Sequence, residues 1–158
     1  MAEGRSATAA APLTRRTAER IATSYLESRN RGELDRLDAI YDPAVVVHDC
    51  GVPEPLGGLA ALKAYYRQSH EGMPDLRFEL EEPIVEGDRM ALRWTATGTH
   101  TGNLRGLPPT GRAMRFTGTV IDRVVDGRIV EEWVDYDTAG VLLQLGFTLV
   151  PPGGGAGS

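Results

Sequence analysis

The residues best placed to do chemistry in this chain are a few acids and histidines set among β-branched and aromatic neighbours. Glu132 lies in the run Arg128–Tyr136, where Val130, Glu132 and Val134 share one side if the segment is extended. A carboxyl between valines is poorly solvated. Its pKa climbs from about 4.3 toward neutrality, where one group can take a proton and return it. Asp122 stands in a second run, Arg112–Val124, and either joins Glu132 or pairs at the surface with Arg123 or Arg128. His48 follows Val45-Val46-Val47 and shares a strand face with Val46. An imidazole entering a pocket there can relay a proton or orient a carbonyl; the alternative is a loop histidine bonded to Asp49. His100 sits where an extended run meets a Gly- and Pro-rich crossover. Its expected work is to hold that crossover, with contact to a ligand as the second reading. Trp94 shares parity with His100 and offers a flat wall for a ring-shaped ligand or ordinary core packing. Tyr136 shares parity with Glu132 and can donate to a ligand oxygen.

The bulk numbers leave room for this chemistry and argue against others. The chain has 158 residues, enough for one domain with a sizeable core. Its 22 acids against 17 Lys and Arg give a formal charge of -5, which disfavours a nucleic-acid groove and an anionic membrane. No apolar run is long enough to span a bilayer and no signal-peptide core opens the chain, so the expected location is cytoplasmic. Cys50 is the single cysteine, and His48, His70 and His100 are the only histidines, with no acid at a helpful helical ligand spacing. No metal and no organic cofactor are expected. Gly57-Gly58 lacks the Lys and Ser/Thr of a phosphate loop.

The elements that must position these groups change period along the chain. Residues 1–12 read as a disordered tail, 13–147 as one domain and 148–158 as a flexible tail. Thr14 can cap a helix running to about Asn30, with Ala18, Ile21, Ala22, Tyr25 and Leu26 on its apolar face. A second short helix is expected over Glu33–Ile40 and a third from Gly58 to about Gln68, with Pro43 separating the second from the run Ala44–His48. Alternation then takes over at Leu76–Glu82, Arg89–Thr99, Arg112–Val124 and Arg128–Tyr136. Val125-Asp126-Gly127 reads as a three-residue hairpin loop. Asp137 caps a short terminal helix. Helices first and a long, mostly antiparallel sheet after them give an α+β fold, with a ligand cavity between the layers.

Three motifs carry a resemblance: Gly98-Thr99-His100-Thr101-Gly102, Gly106-Leu107-Pro108-Pro109-Thr110-Gly111, and Asp126-Gly127-Arg128-Ile129-Val130-Glu131-Glu132-Trp133. Over roughly residues 17–146 the chain resembles the SnoaL-like polyketide cyclase family, within the nuclear transport factor 2-like superfamily. The resemblance implies a cone-shaped, curved mixed sheet covered by three N-terminal helices, a hydrophobic polyketide-like substrate and a homodimer, for which the outer sheet face with Ile121 and Trp133 is the expected surface. It also implies cofactor-independent acid–base chemistry in an apolar pocket. The positions where the founding cyclases carry a catalytic Asp and an assisting His are Val134 and Val120 here. The resemblance puts both inside the cavity, and with the expected hairpin pairing (Asp122 with Val130, Val120 with Glu132, Gly118 with Val134) Glu132 and Asp122 join them. Ile121, Glu131, Trp133 and Asp135 then face outward, unless a bulge after Trp133 turns Asp135 in. The expected catalytic set is Glu132, His48 and Asp122. The expected substrate contacts are Trp94, His100, Tyr136, Val120, Val134, Leu107 and Phe116, with Leu107 in an apolar lid. A cyclase or isomerase is the expected function; epoxide opening and ligand binding without catalysis are the alternatives.

Overall fold

The computed structural model describes residues 11–152, so residues 1–10 and 153–158 of the two expected tails lie outside it. The Thr14 hydroxyl accepts the Thr17 N–H at 3.2 Å and opens α1 (Arg15–Arg31). Gly32, at φ 70°, closes it in the left-handed region that a residue without Cβ reaches at no steric cost. The second short helix expected over Glu33–Ile40 is a 3-10 helix (Leu34–Ala39), which buries Leu34 and Leu37. Then come β1 (Tyr41–Asp49), β2 (Leu56–Gly57) and α2 (Leu59–Gly72), which continues about one turn past its expected end. The remainder is β3 (Arg77–Leu80), β4 (Ile84–Glu86), β5 (Arg89–Thr99), β6 (Ala113–Val125), β7 (Arg128–Tyr136) and α3 (Thr138–Gln144). Asp137 caps α3 by accepting the Gly140 N–H at 2.8 Å.

The strands form one curved sheet in the order β2-β1-β7-β6-β5-β3, with β4 also pairing β5. All pairs are antiparallel except β1 with β7, so the fold is the expected α+β arrangement with a mixed sheet. Strand β1 starts at Tyr41 and runs through Pro43. The ladder to β7 is interrupted between Tyr41 and Val46, and that gap accommodates a residue with no N–H to give.

The β6–β7 hairpin differs from its expected register. Val125 pairs with Arg128, so the turn is the two residues Asp126 (φ 50°) and Gly127 (φ 75°), both in the left-handed region as a type I′ turn requires. The ladder then slips between Arg123 and Val124, leaving Val130 as the extra residue of a bulge. The shorter turn and the bulge each advance the register by one. Beyond the bulge parity is restored and every partner has moved by two. Val120 faces Val134, Gly118 faces Tyr136, and Asp122 faces Glu132. Val130 leaves the inner face, and Ile129 takes a buried place there.

Even-numbered residues of β5 and β6 point toward the helices, where Met90, Leu92, Trp94, Ala96, Met114 and Asp122 are buried. Two apolar clusters result, one under α1, α2 and β1 and one around Trp94. Leu80, Val120 and Val134 touch both. Among the described residues no helix is long and apolar enough to cross a membrane.

Candidate active site

A cavity of about 130 Å³ lies between the sheet and α1 and α2. Its wall is largely apolar, with an aromatic group around Trp94. Trp94 meets Phe116 edge-on (centroids 5.7 Å, 83°) and Phe78 likewise (5.9 Å, 63°), and Tyr136 lies 6.0 Å from Trp94. Trp94 can lie against β6 because its cross-strand partner is Gly118. A Cβ there would come within 2.6 Å of the indole Cε2 and of the Asp135 carbonyl oxygen.

The deep end holds the charge. Asp122 and Glu132 are both 3% exposed and sit directly opposite each other on β6 and β7. The Tyr41 hydroxyl donates to Glu132 Oε2 at 2.6 Å. Asp122 Oδ1, by contrast, has no hydrogen-bond partner. Burial, and then the charge of Glu132, push the Asp122 carboxyl well above the usual carboxylate range. Burial raises Glu132 too, but the Tyr41 hydroxyl, the hydrogen bond from Asp122 and the charge of Arg29 pull it back. Two adjacent buried carboxyls do not both ionise readily, so Asp122 and Glu132 titrate as one unit that shares a proton.

Arg29 supplies the counter-charge from α1. Its guanidinium lies 3.5 Å from the Tyr66 ring centroid and 4.4 Å from that of Phe78, and it donates to the Tyr25 hydroxyl at 2.7 Å. Among the described residues no three His, Cys, Asp or Glu side chains are grouped as metal ligands.

Several expected positions are corrected. His48 is not in the cavity. It does share a face with Val46, but β1 pairs with β7 so that His48 stands beside Trp133 on the outer face. There its ring stacks on the indole (5.4 Å, 9°) and Nε2 meets Glu131 Oε1 at 3.1 Å. His100 is fully buried but off the cavity wall: its Nδ1 meets Thr110 Oγ1 at 3.0 Å, and its backbone bonds Gly111 and Arg112. Leu107 does not line the cavity either. It pairs with Leu104 in a small bridge, and the turn turns Leu104 and Arg105 to the cavity instead. Glu132, Asp122, Trp94, Tyr136, Val120, Val134 and Phe116 all line it, and Asp135 stays on the exposed face.

Arg29, Tyr41, Asp49, Tyr65 and Arg105 also line the cavity and were missed from sequence. Arg29 was within reach, since Ala18, Ala22, Tyr25 and Arg29 continue one helical stripe. Tyr41 was hidden because the strand was expected to begin after Pro43.

The chain matches the model of the SnoaL-like polyketide cyclase family over residues 19–145. This chain belongs to the SnoaL-like polyketide cyclase family. It is 32% identical over 134 residues to the aklanonic acid methyl ester cyclase DauD of Streptomyces sp. (strain C5), covering 77% of this chain and 76% of that protein. It is 31% identical over 134 residues to the aklanonic acid methyl ester cyclase DnrD of Streptomyces peucetius, covering 77% and 85%. Among solved structures, TsrD from Streptomyces laurentii aligns with a TM-score of 0.76 at 27% identity, over 85% of this chain and 98% of that one. IdmH from Streptomyces antibioticus aligns at 0.71 and 30%, over 82% and 99%. As a member of this family the chain is an enzyme of the polyketide cyclase class.

Proposed function

We propose that this cyclase closes a carbon ring by an intramolecular aldol reaction, with Asp122 and Glu132 as its acid–base pair in place of the family's usual Asp and His. The observation that carries the reading is the unpartnered Asp122 Oδ1, buried against a largely apolar cavity and backed by a second carboxyl. The pair enters with one proton. Asp122 Oδ1 takes a second from the carbon next to a substrate carbonyl while its own proton passes to Glu132. The resulting enolate carbon attacks a second carbonyl of the same molecule, one carbon–carbon bond forms, and the new alkoxide takes the proton back. No atom is gained or lost, and the pair returns to its starting state. Before the transfer Arg29 and Tyr41 hold the negative charge on Glu132; when Glu132 takes the proton of Asp122, that charge resides on the enolate and then on the alkoxide. The largely apolar wall favours ring closure over attack by water.

Asp122→Asn and Glu132→Gln test this. Each is expected to fold and to lose about a hundredfold or more in kcat on an aromatic polyketide ester or ketone that the wild type cyclises, measured by chromatography of the product. Unchanged turnover in either variant would remove that residue from the reaction. If the wild type opens an epoxide and leaves open-chain diketones untouched, the same carboxyl pair serves epoxide opening.

The reading also takes the protein as a homodimer through the outer sheet face, where Ile121 is 39% and Val46 36% exposed beside the His48–Trp133 stack. Sedimentation of the wild type as a dimer and of Ile121→Lys as a monomer is the expected result.

A further inference from the structure

The cavity wall has a second polar group that the ring closure does not use: Arg105, which is exposed where Asp122 and Glu132 are buried. Between β5 and β6 the crossover makes a tight reverse turn. Leu104 and Leu107 exchange N–H···O=C bonds of 3.0 and 2.9 Å, and Asn103 Oδ1 accepts the Gly106 N–H at 2.8 Å. The tip residues are Arg105 (φ 48°) and Gly106 (φ 87°). A residue with a Cβ in the left-handed region is uncommon, and here it turns the Arg105 side chain onto the cavity. The guanidinium lies 3.7 Å from the Tyr65 ring centroid and donates to Ser69 Oγ at 2.8 Å. Tyr65 and Ser69 are themselves buried on α2, so the fork is held at two points. Arg105 is itself exposed and, among the described residues, makes no ion pair, so the remaining N–H donors of the fork are open to solvent and to a guest entering there.

Asp49 limits what that guest can be. It lines the same cavity, with Oδ1 accepting the Gly51 N–H at 2.7 Å. The charges of Arg105 and Asp49 both bear on the phenols of Tyr65 and Tyr136. A carboxylate here would meet Arg105 and be repelled by Asp49. A neutral carbonyl oxygen accepts from the fork without that penalty.

We propose that Arg105, held by Tyr65 and Ser69, binds a neutral carbonyl oxygen of an ester or ketone substituent on the substrate and so decides which end of the molecule reaches Asp122 and Glu132. This rests on the cyclase reading above. It makes Arg105 a specificity-determining residue: the substituent sits at the mouth, the fused or folding ring lies along Trp94 and Phe116, and the reacting carbonyls lie deep.

Binding of small aromatic probes tests the assignment without needing turnover. Methyl 2-naphthoate, 2-methylnaphthalene and sodium 2-naphthoate share a ring and differ only in the substituent, and Trp94 fluorescence reports their entry. The wild type is expected to bind the ester about tenfold more tightly than the hydrocarbon, the size of one charge-assisted hydrogen bond. Arg105→Gln is expected to make the two equal, and Asp49→Asn to raise the affinity for 2-naphthoate. Equal binding of ester and hydrocarbon by the wild type overturns the proposal, as does a preference that survives Arg105→Gln. Tightest wild-type binding by 2-naphthoate overturns the choice of a neutral carbonyl. A merely structural Arg105 would lower the melting temperature in the variant and leave the ester-to-hydrocarbon ratio alone. The carboxyl pair fails or stands on turnover in Asp122→Asn, not on these ratios, so the two failures are separable.

Discussion

Tyr41→Phe removes one oxygen from the deep end of the cavity and leaves the ring in place, so its effect can be worked out from a single contact. Burial keeps the Tyr41 phenol well above its ordinary pKa, and it therefore acts as a neutral donor to Glu132 Oε2 at 2.6 Å. Toward an ionised carboxylate such a bond is worth about 1.5–3 kcal/mol, and toward a protonated one about 0.5–1.5 kcal/mol. The difference, about 1–1.5 kcal/mol, corresponds to about one pH unit upward for the Glu132 carboxyl in the variant. The sign for stability follows from linkage. Burial leads the causes that raise Glu132 above its ordinary value, so the folded state binds its proton more tightly than the unfolded chain. Its contribution is most favourable in acid, where Glu132 is neutral in both states, and declines as pH rises from the unfolded pKa to the folded one. Without the Tyr41 hydroxyl that decline continues about one unit further. Urea unfolding of wild type and Tyr41→Phe at pH 4.5 and pH 8 reads this directly, because charges elsewhere cancel in the difference. The stability gap is expected to be about 1–1.5 kcal/mol wider at pH 8 than at pH 4.5. In kcat/KM the acid limb moves up by about one unit, since the pair must carry a single proton to act as base. A gap that is the same at both pH values would refute the view that Glu132 accepts this bond as an anion.

Gly118→Ala would push a methyl into the Trp94 indole and the Asp135 carbonyl, and is expected to cost about 1–3 kcal/mol in unfolding free energy and to lower ligand affinity with it. His100→Ala is expected to speed amide exchange across residues 98–111 while leaving the chemistry in place; lost turnover with unchanged exchange and melting would put His100 in the reaction instead. His48→Ala is expected to leave kcat unchanged, because its ring lies on the outer sheet face against Trp133.

Sequence alone determined the types of the longer elements, the α+β order and the parity of the long strands; the short β2 and β4 were not among them. These are local properties: strand alternation has a period of two, helical stripes recur every three to four residues, and Thr14, Gly32 and Asp137 mark ends through their own side chains or lack of one. Parity sufficed to put Glu132 and Asp122 on one face with Val120 and Val134, even though the turn was read one residue too long. A compensating bulge at Val130 preserved parity and changed partners. Which partners meet was a tertiary matter. The direct apposition of Asp122 and Glu132 depends on that bulge, whose position no local preference marks. Placing His48 outside depended on β1 adding parallel to β7, a pairing between segments about 85 residues apart, with strand geometry alone allowing either face. Arg29, Tyr41, Asp49 and Arg105 come from one helix, one strand and one turn. Their meeting around one cavity is decided by how the helical layer packs on the curved sheet, and packing depends on contacts between residues far apart in the chain.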